Sequence, residues 1–526
     1  MKSLICSPKI SPQVFLFASL LLTLFYATKS DSLWIDEGDT AVYAIQPNFA
    51  SWLLHLSTDG NADCQMPLTM LVAWVAAQVA GSSEVILRLP NFFWGAIALF
   101  AFAWVGSNLA GNPGVGKTGR KEANQDVYCI GWLPLFLAIQ PFYVFYLGEA
   151  RPYAAQIAVG SILVACLISF ETTRGVGRAW IWLLSLGTLL GFATTILAPI
   201  SIFPVYLSLV ILAWIYRARI SFLSLWPILI SWTLCIPLAY YYLQTVLRGA
   251  EGTKIWDIGL KNLAYIAYEV LGLVGLGPAI REIREAAREG GLLSLFSASP
   301  LLFWGLGIIL IVYMGIFISR GFLRTKDRRL PSLIYLPLGI FLVAGFLFAL
   351  VAFILGKAFW ARHLSMAFPF LIIGLAVLIH EFITIKSPLH SLRLYAVGAL
   401  ALTLLVSSLT LRISERHGND DYRSAAQLAK SALKDGKRVW WFASWHCAAY
   451  YQLPVVSALT STDPNLEVLH GPSHLSEQFP DLIIYSKPDI YDSYGVGKGE
   501  IERNGLMPTT KLRGFLVYEK SGLKSQ

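Results

Sequence analysis

Charge is what this sequence has least of. Only 14% of its 526 residues are Asp, Glu, Lys or Arg, against about 25% in an ordinary soluble domain. A soluble single-domain enzyme, a disordered chain and a fibrous protein are all excluded. Cysteine is scarce as well. The six present are scattered, with no C-x-x-C pair and no metal-ligand spacing, which excludes a disulfide scaffold. There is no internal repeat and no low-complexity segment. Hydrophobic residues abound instead, at 56%, and they gather in long runs. The class that remains is a polytopic all-α membrane protein.

The runs predict about eleven transmembrane helices at the usual length of about 20 residues. They cover 14–29, 91–110, 128–147, 153–170, 179–197, 198–216, 222–243, 292–319, 332–355, 364–380 and 394–411. The first follows Lys2 and Lys9, as in a signal peptide, but no clear cleavage site follows it, so it is taken as an uncleaved anchor. The apolar run 66–81 is expected to lie along the membrane surface, and the charges decide this. With that placement Lys117, Arg120, Lys121, Arg174, Arg178, Arg217, Arg219, Arg320, Arg324, Lys326, Arg328, Arg329, Lys386 and Arg393 share the side of the N-terminus. The opposite first loop, 31–90, carries seven acids against the single base Arg88. Positive-inside bias then makes the N-terminus cytoplasmic and puts the tail outside, in a plasma or inner membrane. The expected domains are a membrane domain, 1–411, with an external first loop, 31–90, and an external α/β domain, 412–526. That tail holds 14 of the 41 bases and 13 of the 32 acids. Most of the net charge of +9 therefore sits in the membrane part, which argues for membrane lipids and against nucleic acid as partner.

Within the tail, 422–434 has helical periodicity, and 438–442, 481–485 and 514–519 are expected strands. Its Trp440, Trp441, Trp445, His446, Tyr450 and Tyr451 suit either a sugar-binding face or a buried aromatic strand. The stretch 263–289 is ambiguous: its apolar half suits a re-entrant segment and its charged half a solvated helix or a lid.

Candidate chemistry clusters on the external side. Asp36 and Glu37 open the first loop, and a carboxylate at a bilayer interface can act as general base or hold a divalent metal. The alternative is an ordinary acidic loop in water. Asp63 follows, then Arg88, then Glu149-Ala150-Arg151-Pro152-Tyr153 between two spans. An arginine there can hold a phosphate by two hydrogen bonds or merely anchor a helix end. Lys357, Arg362 and His363 are bases on the wrong side for positive-inside bias, which an anionic headgroup would explain. No motif demands a cofactor. External Cys64 and Cys447 could pair in an oxidising compartment. Gly111–Thr118 matches G-x-x-x-x-G-K-[ST], but a membrane span precedes it and no apolar helix follows. The context is wrong for a nucleotide loop.

Asp36-Glu37, Asp63 with Pro67-Leu68, Ser83-Glu84 with Arg88-Leu89-Pro90, and Glu149-Ala150-Arg151 with Tyr153 occur in that order. In this the chain resembles the GT-C membrane glycosyltransferases. The branch is that of protein O-mannosyltransferases, the bacterial lipid A aminoarabinose transferase and related rhizobial lipopolysaccharide transferases. Arg362-His363 resembles the family's R-Y turn, with His for Tyr, and Asn419–Arg423 its D-[WY]-R stretch. The resemblance implies transfer of a sugar from a polyprenyl-phosphate carrier to a lipid, glycan or protein acceptor, with inversion, at the external face. It implies Asp36 as base with Glu37 beside it. It points to Arg88, Arg151 and Arg362 at the lipid phosphate, and to Asp63, Glu149, Tyr153 and His363 around the substrate. The competing readings are a lipid or glycan transporter and a non-catalytic scaffold. A transporter would carry its charges within spans, and these spans are nearly free of charge.

Overall fold

The computed structural model describes residues 11–58, 60, 62–111, 131–173, 177–216, 225–249, 259–289, 291–322, 330–357, 359–384, 388–457, 460–469, 478–492 and 494–520. The body of the G-x-x-x-x-G-K-[ST] motif lies outside the described residues. So do the expected cytoplasmic cations Lys117, Arg120, Lys121, Arg174, Arg217, Arg219, Arg324, Lys326, Arg328, Arg329 and Lys386.

Among the described residues six helices are long and apolar enough to cross a membrane: Glu84–Leu109, Tyr153–Thr173, Ala198–Ile215, Trp226–Leu247, Leu333–Leu355 and His390–Ile413. Shorter apolar helices cover Pro12–Ala27, Pro67–Ala80, Arg178–Thr194, Pro300–Ile316 and Phe368–Thr384. Nine of the eleven expected spans thus appear as single helices; the expected span 292–319 is split into Leu292–Ser297 and Pro300–Phe322. Their outer faces expose Trp304, Ile311, Phe353 and Ile354, side chains that only lipid accommodates in such number. The chain is a multi-pass membrane protein.

The expected span 128–147 is broken more deeply. A helix ends at Ala138 and another begins at Pro141. Pro141 lacks an N–H and drives Gln140 out of the helical region, to φ −75° and ψ 121°. The break frees the Ile139 carbonyl, which accepts the Ser408 hydroxyl at 2.8 Å. Irregular backbone at such depth needs partners of this kind.

The chain divides into two compact units. One comprises Met1–Thr28, Ser57–Thr69 and Arg88–His417, the other Lys29–Leu56, Met70–Leu87 and Gly418–Gln526. In the first unit the Tyr153–Thr173 helix is the innermost, buried almost throughout. Gly160 lets it touch the backbone at Met366: a Cβ there would collide with the Met366 carbonyl.

The second unit holds a five-stranded sheet in the order β4-β1-β5-β7-β6. Its strands are β1 (Val439–Phe442), β4 (Leu466–Val468), β5 (Leu482–Tyr485), β6 (Thr510–Leu512) and β7 (Phe515–Glu519); β2 (Val455–Ser457) and β3 (Thr460–Ser461) form a separate hairpin. β4, β1 and β5 are parallel, with Val439 opposite Leu466 and Leu482, while β7 and β6 run antiparallel. β1 reads Val-Trp-Trp-Phe because both of its faces are covered. Trp441 packs with Tyr422 and Phe515 on one side, and Trp440 with Phe442 and Phe479 on the other. First-loop aromatic contacts belong to this unit as well: Trp74 packs at a tilt on Phe49 and Trp52 and donates its ring N–H to the Gln46 carbonyl at 3.0 Å, while Tyr43 meets His55.

Gly160→Ala should lower the melting temperature of the detergent-purified protein, by overpacking worth about 1–3 kcal/mol. Gly307→Ala, with nothing within 4 Å of the added carbon, should be neutral or stabilising, as Ala for Gly in a helix is. Equal effects of the two would remove the packing explanation.

Candidate functional site

In the first unit the site is built on the link between the Pro141–Leu147 and Tyr153–Thr173 helices. Asn91 spans this link, donating its side-chain amide to the Leu147 carbonyl at 3.1 Å and to that of Glu149. The link carries Glu149 and Arg151, and Tyr153 opens the helix after it; all three are buried. Arg151 forms an ion pair with Asp63, and both side chains are more than nine-tenths buried. Asp63 sits in the Ala62–Gln65 turn, fixed by the Tyr241 hydroxyl donating to the Cys64 carbonyl at 2.7 Å. Arg88, the last residue of the Glu84–Arg88 helix, is wholly buried. A buried charge persists only with partners, so this region concentrates cations and carboxylates that water does not screen.

The Leu260–Val270 helix adds to this set. Tyr265 donates its hydroxyl to Glu269 Oε1 at 3.2 Å, and it lies in the electrostatic reach of Glu149 as well as Glu269. Glu269 in turn feels Arg362. Rings close around them: Tyr146 packs on Tyr153 at 4.7 Å and Trp360 on Tyr265 at 6.0 Å. Burial pushes Glu269 up from the ordinary carboxylate range to about 7, against the opposing pull of Tyr265 and Arg362. The sequence reading missed both Tyr265 and Glu269. The available signal was Glu269 itself, the one charged residue between Lys261 and Arg281.

The charged half of the ambiguous stretch forms the Ile280–Glu289 helix. It is not simply solvated: Ile283 is buried, and Glu282 pairs with Arg416 at 2.6 Å. Between the two helices residues 272–279 are buried. Gly272 turns the chain at φ +80°, its carbonyl accepting the Ser407 hydroxyl at 2.7 Å.

His363 lies in the Ala361–Leu364 turn, ring to ring with Phe359 and Phe348. Its Nδ1 accepts the Trp360 backbone N–H at 3.1 Å. Burial, and then Arg362, hold its pKa down at about 3. At neutral pH it is uncharged, so Arg362 supplies the positive charge of that turn.

Asp36 and Glu37 belong to the second unit. They occupy the first turn of the Ile35–Ala44 helix, where the helix dipole favours acids. Glu37 is fully buried and caps its own helix, its Oε2 accepting the Trp34 N–H at 3.2 Å and the Asn419 amide at 3.1 Å. Asp36 is half-buried. Asp39 Oδ1 lies 2.5 Å from His446 Nδ1. Among the described residues no three His, Cys, Asp or Glu side chains gather as a metal site would require. Cys64 and Cys447 are both buried.

No protein-family model and no curated protein sequence matches this chain. Solved structures do. ArnT from Cupriavidus metallidurans in the apo state aligns over 96% of this chain and 97% of its own, at 11% identity and a TM-score of 0.52. The same protein bound to undecaprenyl phosphate aligns over the same shares at 12% identity and a TM-score of 0.48. The fold is thus ArnT-like, on the likeness to the apo structure.

Glu269 carries a pH signature. Its pKa in the native protein lies above that of the unfolded chain, so the native state holds the proton more tightly. The stability due to the protonated form is complete below about pH 4.5 and is lost as the pH rises through about 7. Glu269→Gln should therefore gain thermal stability over wild type between about pH 5 and about pH 8, by an amount on the order of 3 kcal/mol at most. Parallel melting curves across that range would count against the buried, raised carboxyl.

Proposed function

We propose that this protein is a glycosyltransferase that moves a sugar from a polyprenyl-phosphate carrier to a hydroxyl of a lipid, glycan or protein at the external face of the membrane. The observation that carries the reading is the buried set Asp63, Arg88, Glu149, Arg151, Tyr153 and Glu269, with the half-buried Arg362 acting on Glu269, in a GT-C-type fold. Burying guanidinium groups beside apolar helices is costly. A phosphate on an apolar tail is a ligand that repays that cost.

The chemistry is a displacement with inversion. The acceptor oxygen forms a bond to the anomeric carbon, and the bond from that carbon to the phosphate oxygen breaks. The electron pair leaves on the phosphate, whose growing charge wants fixed cations. Arg362 and Arg88 are the candidates, with Arg151 held in place by Asp63. The acceptor proton passes to a carboxylate, for which the sequence resemblance singles out Asp36. Glu37, buried and engaged by Trp34 and Asn419, supports the turn. Tyr153 and Tyr265 offer rings and hydroxyls to a sugar.

Purified protein in lipid should transfer label from one member of a panel of radiolabelled polyprenyl-phosphate sugars to a membrane extract. Asp36→Asn should lower the rate by about 100-fold or more without loss of folded protein. Arg362→Gln should raise the KM for the donor. Full activity of Asp36→Asn would remove it as base. A folded wild type that transfers nothing from any donor would refute the reading.

A further inference from the structure

The acidic turn that bears Asp36 is held from residues more than 380 positions away. The Ile35–Ala44 helix is ten residues long, too short to be stable by itself. Its partner is the Trp445–Tyr450 helix, which leaves the end of β1 and is capped by the Ser444 hydroxyl, accepting from the Cys447 N–H at 3.3 Å. The two helices approach so closely that a Cβ at Gly38 would collide with Cys447 Sγ. That thiol lies 3.7 Å from the Trp34 carbonyl.

Polar contacts then bracket Asp36 on both sides. Asn419 donates one amide to Glu37 Oε2 and to the Ser32 carbonyl, each at 3.1 Å. His446 meets Asp39 at 2.5 Å and stacks on Trp445. Upstream, the Tyr451 hydroxyl accepts the Leu33 N–H at 3.0 Å and donates to Glu84 at 3.0 Å. Arg423 pairs with the same Glu84 at 2.7 Å and donates to the Ser30 carbonyl at 2.8 Å. Apolar docking would suffice to bury the helix. These contacts do more, because each is directional and together they fix the turn's rotation and its advance along the axis. Positioning of this kind matters for a proton-accepting carboxylate, where a shift of about 1 Å can cost about 100-fold in rate.

We propose that the C-terminal α/β domain serves to position the acidic turn, and that Asn419 and His446 are positioning residues for Asp36. This rests on the reading of Asp36 as the base. Two measurements separate the two ideas. Amide hydrogen exchange across residues 33–44 reports the clamp without any reaction. The Asn419→Ala, His446→Ala double variant should exchange faster there, while the β1, β5 and β7 amides keep their protection. Steady-state transfer then reports the consequence. Each single variant should lose about 10- to 100-fold in kcat, with the donor KM within about twofold of wild type. His446→Asn, which keeps an N–H donor near the place of Nδ1, should recover most of the loss.

Unchanged exchange across 33–44 in the double variant would overturn the clamp. Faster exchange with unchanged kcat would overturn the positioning role. Loss of protection in the sheet as well would mean that these residues hold the domain together, and would also overturn it. A wild type with a protected turn and no transfer from any donor would refute the base assignment, and the positioning role with it, while leaving the clamp standing.

Discussion

The ion pair between Asp63 and Arg151 is the constraint on which the first unit's site depends. Either charge alone, so deeply buried, would cost several kcal/mol; the pair, with Asn91 fixing the neighbouring carbonyls, makes the link 148–152 a rigid part of the bundle. That link delivers Glu149, Arg151 and Tyr153 together. It begins one helix of about two turns after a proline break and ends where the innermost helix starts. A charged pair therefore does here what a hydrophobic contact does elsewhere in the bundle: it sets where one helix stops and the next begins.

The same principle governs the neutral backbone. Two serines in sequence, Ser407 and Ser408, each donate to a carbonyl freed by an irregular stretch, Gly272 and Ile139 respectively. A single turn of the His390–Ile413 helix thus stabilises both the broken span and the buried 272–279 turn. The closeness needed for this leaves no room at Gly275, where a Cβ would run into the Ser407 carbonyl. Small residues permit the approach, and hydroxyls repair the hydrogen bonds that the approach leaves open.

How much of this was legible in the sequence varies with the length scale of the cause. Apolar runs of about 20 residues are governed by bilayer thickness alone, so nine expected spans appear as single helices. Trp440 and Trp441 are buried in a strand because an all-apolar run has no other use between two covered faces. The break at Gln140 was visible only as Pro141, and a proline alone leaves open whether a helix kinks or ends. The hairpin and β4 and β6 are only two or three residues long and carry no periodicity. Motif order pointed to Asp63, Arg88, Glu149, Arg151, Tyr153 and Arg362 as candidates. It did not pair Asp63 with Arg151, since 88 residues separate them and nothing local records the contact. Glu269 escaped because a lone acid in an ambiguous stretch looks like surface until a neighbouring arginine is placed beside it. The grip of Asn419 and His446 on the first loop is invisible for the same reason at still longer range.

Glu269 and Arg362 also explain how a buried carboxylate can share a site with the anion proposed above. Arg362 pulls the Glu269 pKa down, and burial more than offsets that pull. An anion that engages Arg362 weakens the pull and adds like charge. Both effects raise the Glu269 pKa further, so the carboxyl binds a proton as the anion arrives. By linkage the protonated carboxyl favours the anion to the same degree that the anion favours the proton. A neutral carboxylic acid beside a phosphate is no longer a repelling charge but a hydrogen-bond donor, with Tyr265 as its partner on the other side. A phosphate bound as proposed at Arg362 would therefore meet in Glu269 a carboxyl that takes up a proton at little cost, because burial has already raised its pKa to about 7.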